Sequence, residues 1–256
     1  VTEIYTYNHH PRYIVNQMGL RNKIGILSEA FAHERLYQRM SSTHAFVTEI
    51  LEFTNDHAQE IAQINDEAEK AAIDLVKEKA GKVKKGVRFK MSYLEDIPAY
   101  RSYEYIPYQE VDSAGGYLSM DDVGYAPNRD KVKLVRRTRI VTLGNVKNYS
   151  AFEPVVESTL PRGYLIPAEF ANIAEHLEKQ GAVVTKLEDS ITANGEVFEA
   201  TSMEKGRRKF EGHFMVQLEG SFKPATKTFE KGDYCVDLAQ PLANLIFYML
   251  EPQSDD

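Results

Sequence analysis

The sequence predicts a mixed α/β fold, a strand and a long helix followed by a strand-rich α/β region. Three observations carry this. An unbroken apolar run, Ile24-Gly25-Ile26-Leu27, reads as a strand covered on both faces. A stripe through Val47, Ile50, Leu51, Ala58, Ile61, Ala68, Ala72 and Leu75 steps by three, four and seven, which is the period of a helix face. Beyond Gly86 the pattern changes to alternation and β-forming residues.

Taken in order, residues 1–40 hold a turn-rich opening, "YNHHPRY", and then the Ile24–Leu27 strand, which delivers Ser28-Glu29 at its end. Ser41 and Ser42 are suited to cap the long helix, Asn55-Asp56 to bend or split it, and Gly81 to stop it. The segment "GKVKKG", residues 81–86, reads as a boundary between residues 1–80 and 86–256. After it come the strand patterns "VRFKMSYL", "KVKLVRRTRIVTL", "EVFEATSM", "HFMVQLEGSF" and "DYCVDLA". Two helices interrupt them. One is "PAEFANIAEHLEKQG", with Pro167 at its start, a stripe of Ala171, Ile173, Ala174 and Leu177, and Gly181 at its end. With "GYLIP" before it and "AVVTKL" after, it makes strand–helix–strand. The other is "QPLANLIFYML".

The chain has 256 residues, 43% of them hydrophobic and 27% charged, enough for one large or two modest domains. No apolar span is long enough to cross a membrane as a helix, and no signal peptide is visible. The sequence opens on Val1-Thr2 without Met and stops at "EPQSDD", so it is expected to be a segment of a longer protein. A net charge of −7 argues against nucleic acid bound through its phosphates. Cys235 is the sole cysteine, which excludes an intrachain disulfide and a cysteine-rich metal site.

The candidate chemistry divides into decoys and one open case. His57 and Glu60 form the single H-x-x-E, on a highly charged helix with no third ligand placed beside it, so they read as a solvated face. His9 and His10 are adjacent and in extended chain point to opposite faces. His33 meets Glu29 only if the chain turns helical at Ser28. Asp121, Asp122, Asn128 and Asp130 do not have the spacing of a calcium loop and read as a polar turn. Cys235 sits in an apolar strand pattern and reads as packing. No phosphate-binding glycine loop and no G-x-S-x-G occurs. Lys131, Lys133, Arg136, Arg137 and Arg139 read as the outer face of an amphipathic strand, with a polyanion site as the alternative. The tyrosines of "YRSYEYIPY" read as cross-strand packing, with sugar stacking as the alternative. Glu29 is open. A carboxylate at the end of a parallel strand stands where α/β folds place ligands, and it equally suits an ordinary loop or helix-start acid.

"GLRNKIGILSEAF" resembles the segment that carries the catalytic glutamate in zinc carboxypeptidases of the carboxypeptidase A type. "PRGYLIPAEFANIAEHLEKQGAVVTKL", "FEGH" and "GDYCVDLAQPLANLIFYMLEPQSDD" resemble the C-terminal accessory domain of a bacterial branch of that family. The resemblance implies that residues 1–80 end the peptidase domain and that residues 86–256 form an accessory α/β domain. It implies zinc-dependent hydrolysis of peptides at a free C-terminus, with Glu29 as general base and Tyr7, or else Tyr13, as the tyrosine that closes over the substrate. The family's order along the chain puts the zinc ligands upstream of Val1, so no zinc is expected on this segment and no activity from it alone. Family habit also implies a secreted or periplasmic enzyme. Two other readings accompany it: a non-catalytic binding module, for cell-surface glycans, and a degenerate carboxypeptidase.

Overall fold

The long helical stripe folds as two consecutive helices, α2 (Leu36–Asp56) and α3 (Ala58–Lys79), divided at His57, directly after Asn55-Asp56. The helix begins well before Ser41 and Ser42, which therefore lie inside α2 rather than at its cap; the Ser42 hydroxyl donates back to the Arg39 carbonyl at 3.1 Å. Gly81 ends α3 as expected, with φ +75 in the left-handed region that glycine enters without a side-chain clash. Its N–H donates to the Leu160 carbonyl at 2.8 Å, tying the helix end to a strand end.

The computed structural model describes residues 2–30, 34–107, 134–210 and 212–255. Its class is mixed α/β, as predicted. The remaining elements are β1 (Glu3–Tyr5), α1 (Ile14–Leu20), β2 (Lys84–Ser92), β3 (Glu95–Ile97), β4 (Tyr100–Pro107), β5 (Leu134–Leu143), β6 (Val146–Tyr149), β7 (Ala151–Thr159), β8 (Gly163–Ile166), α4 (Ala171–Lys179), β9 (Thr185–Lys186), β10 (Ile191–Phe210), β11 (His213–Phe229), β12 (Tyr234–Asp237) and α5 (Ala243–Leu250).

Two compact units share these elements. One comprises Val1–Tyr7, Ser28–Asp56 and Met91–Ala151; the other comprises Asn8–Leu27, His57–Lys90 and Phe152–Asp256. The segment "GKVKKG" thus marks a change from helix to strand within one unit, since His57–Lys90 runs through it unbroken.

In the first unit β6 is the centre of a three-stranded sheet, parallel to β1 and antiparallel to β3. Tyr5 and Tyr149 stack there with ring centroids 5.0 Å apart. β4 and β5 pair antiparallel, and Tyr100 and Tyr103 face Leu143 and Ile140, which is the cross-strand arrangement expected of that tyrosine-rich stretch.

The second unit holds the main core. β12 lies between β8 and β9, antiparallel to both, so the strand–helix–strand segment β8–α4–β9 returns as a crossover around it. Val87, Leu160, Ile166, Leu177, Val236, Leu238, Ile246 and Phe247 are buried in one cluster, and Ala72 and Val76 of α3 join it. Gly163 is required by this sheet: a Cβ there would stand 2.4 Å from the Val236 carbonyl oxygen. β10 and β11 form a long antiparallel ribbon of two strands.

The Ile24–Leu27 strand does not form. Residues 23–30 have no regular structure, and Ile24, Ile26 and Leu27 are exposed. The cause is local. Asn22 takes φ +57, and the N–H groups of Arg21, Asn22 and Lys23 donate to the Met18 and Gly19 carbonyls, turning the chain back over α1. Gly25 then lies so close to α1 that a Cβ would meet Val15 Cα at 3.1 Å. The glycine serves this close approach rather than a sheet.

Candidate functional site

Glu29 lies in the exposed, irregular segment before α2 and not at a strand end. Tyr7 is exposed and belongs to the same compact unit as Glu29; Tyr13 belongs to the other unit. Tyr13 precedes the first turn of α1, where its carbonyl accepts the Gln17 N–H at 3.0 Å. The described residues gather no group of three or more His, Cys, Asp or Glu that fits a metal ion. His57 Nδ1 and Glu60 Oε2 are 3.1 Å apart on the exposed side of α3, the solvated pair that its charge pattern predicts. His33, Asp121, Asp122, Asn128, Asp130, Lys131 and Lys133 lie outside the described residues. Arg139 is exposed, 3.8 Å from Glu104, consistent with the outer face of a strand.

Cys235 sits on β12, the central strand of its sheet. Burial pushes its thiol pKa up, and the nearby Asp237 charge adds to this. Both effects disfavour the thiolate, which is the nucleophilic form. The residue is packing, as its apolar context predicts.

Sequence reasoning missed the polar cluster that gathers around Asp255. His9 Nε2 lies 2.5 Å from Asp255 Oδ2, and the Phe89 N–H donates to the same oxygen at 2.8 Å. Arg88 stands 3.8 Å from Asp255 and donates to Glu219 at 2.8 Å. That bond is the main cause of the depressed Glu219 carboxyl pKa. The rings of His9 and His10 stack at 4.8 Å rather than pointing apart, because the "NHHP" segment is not extended strand. His9 also abuts Phe89 and Phe152. This cluster joins the N-terminal segment and the C-terminal tail to β2. Its partners lie far apart in sequence, so no local spacing signals it.

A second buried pair is Tyr164 and Glu251. The Tyr164 hydroxyl donates to Glu251 Oε1 at 2.6 Å. Burial pushes both pKa values up, most of all that of the phenol.

Three curated proteins share a segment with this chain. Carboxypeptidase 2 of Trichophyton rubrum is 32% identical over 104 residues, which is 41% of this chain and 19% of that protein. The proteins of the same name from Trichophyton tonsurans and Trichophyton equinum are each 30% identical over 104 residues. The chain is related in part to carboxypeptidases. It spans about a fifth of the length of these fungal relatives. No family profile and no solved structure matches it.

Proposed function

We propose that the chain is the C-terminal part of a zinc metallocarboxypeptidase of the carboxypeptidase A type, which hydrolyses the last peptide bond of substrates with a free C-terminus. The carrying observation is the shared segment with proteins named Carboxypeptidase 2. The resemblance of "GLRNKIGILSEAF" to the family's glutamate segment adds the finer detail. The bacterial branch rests on the C-terminal motifs alone, because the three relatives are fungal. Export to the periplasm or medium is part of the same reading.

Among the described residues no group of three or more His, Cys, Asp or Glu fits a metal ion, so in this reading the zinc ligands belong to another part of the parent protein. Within this chain Glu29 is the general base. Its carboxylate takes a proton from the attacking water and passes it to the leaving amine. Tyr7, or Tyr13 in its place, closes over the substrate.

The test is Glu29→Gln in the parent protein, which keeps size but removes the proton acceptor. Turnover of a peptide with a free C-terminus, followed by mass spectrometry, is expected to fall about 10²–10⁴-fold. Metal content and melting temperature are expected to stay unchanged. Full activity in the variant would remove Glu29 from the mechanism. A parent protein without an upstream H-x-x-E would support the degenerate reading instead.

A further inference from the structure

The ribbon of β10 and β11 is an unusual extension for an acidic protein. Twenty residues of β10 span roughly 65 Å at the rise of a strand. Every residue from Glu199 to Phe210 is exposed. Isolated two-stranded ribbons are marginally stable in water, so an arm with so little burial needs another reason to exist.

Its distal end carries Lys205, Arg207, Arg208 and Lys209, in a chain of net charge −7. The register places two of these cations, Lys205 and Lys209. Met203 faces Leu218, Lys205 faces Val216, and Lys209 faces Phe214 across a bulge. Side chains alternate along each strand, so Met203, Lys205, Lys209, Phe214 and Val216 share one face. The ring contacts agree: Lys205 Nζ stands 4.2 Å and Lys209 Nζ 5.5 Å from the Phe214 centroid. Met203 is 66% and Val216 46% exposed. Among the described residues, the carboxylates of this end fall on the opposite face. Glu204 faces Gln217 there, and Glu219 is held by Arg88. Arg12 also lies on that side, donating to the Met215 sulfur at 3.0 Å. Among the described residues from Ser202 to Leu218, one face of the ribbon is therefore apolar and cationic with no carboxylate, and the other meets Arg12 and Arg88 of the protein body.

We propose that this face docks onto the surface of a lipid bilayer that bears anionic headgroups. Lysines beside exposed apolar side chains are what an interfacial surface takes: the cations meet the headgroups while Met203, Val216 and Phe214 enter the acyl boundary. The composition is less suited to nucleic acid, because Met203 and Val216 offer no π-face to a base and the Phe214 ring already carries Lys205. The proposal is independent of the peptidase reading.

The experiment is flotation of the 256-residue chain with vesicles of phosphatidylcholine alone and of phosphatidylcholine mixed with phosphatidylglycerol. Binding is expected to the mixed vesicles and to weaken as salt rises. Lys205→Gln with Lys209→Gln is expected to lower partition onto mixed vesicles about thirtyfold, at about fivefold per lysine. Met203→Ser with Val216→Ser leaves the charge unchanged and is expected to lower partition as well. All four side chains are exposed, so circular dichroism and melting temperature are expected to match the parent chain. Equal binding to neutral vesicles, no binding to mixed ones, or unchanged binding by either double variant would overturn the proposal. Retention on heparin without vesicle binding would make the arm a polyanion site and overturn it too.

Discussion

Glu251 shows how one residue ties stability to pH. It is 4% exposed, accepts the Tyr164 hydroxyl and is also bonded by Ser158. Burial raises its pKa, and these two bonds oppose the shift without cancelling it. The sign follows from linkage. Below the unfolded carboxyl pKa, about 4.3, both states are protonated and the residue imposes no charge burial. As pH rises from there, the unfolded state ionises first and stability falls, until the folded carboxyl has ionised too. Glu251→Gln keeps an acceptor for Tyr164 and removes the buried charge. Its melting temperature is expected to exceed that of the parent chain at pH 7, and the gap to close near pH 4. A variant that melts lower at pH 7 would show that the ionised carboxylate stabilises this site.

At the scale of elements, local signals were readable where a segment carries its own stop signs or its own period. α4 follows its Pro167 and Gly181 boundaries, and Gly181 takes φ +91. β10 and β11 follow alternation, though they run longer than the alternating stretches, because pairing extends a strand past its patterned part. The Ile24–Leu27 segment departs from its expected strand for one reason. A short apolar run does not state which neighbour will cover it, and here Gly25 meets α1 instead of a strand. The polar cluster at Asp255 was illegible because tertiary folding alone joins His9 to residue 255. The α4 stripe was right in part. Ala174 and Leu177 are buried, whereas Ile173 is 37% exposed, one residue off the core-facing line. Leu177→Ala is expected to cost about 2–5 kcal/mol in denaturant unfolding, as for a fully buried leucine. Ile173→Ala is expected to cost under about 1 kcal/mol. Equal costs would mean that α4 packs through a different face.

Across the whole molecule, burial is distributed unevenly between the two compact units. Among the described residues, Val146 is the one buried apolar side chain of the first unit, while the second holds the cluster around Leu160, Val236 and Phe247. The consecutive helices α2 and α3 fall on opposite sides of this division. α2 has no buried residue; Leu36, Met40, Val47 and Leu51 line a shallow groove of about 690 Å³ on it. α3 buries Ala72 and Val76 against the main core. In water most helical stability comes from packing an apolar face rather than from propensity. Opening free energy is therefore expected to differ sharply between two helices of nearly equal length. Hydrogen–deuterium exchange measures it directly. Amides in the second half of α3 are expected to exchange at least about a hundredfold more slowly than those of α2, a gap of roughly 3 kcal/mol in local opening. Comparable rates along both helices would mean that they open as one cooperative element, and the division of the chain at His57 would then be geometric without being energetic.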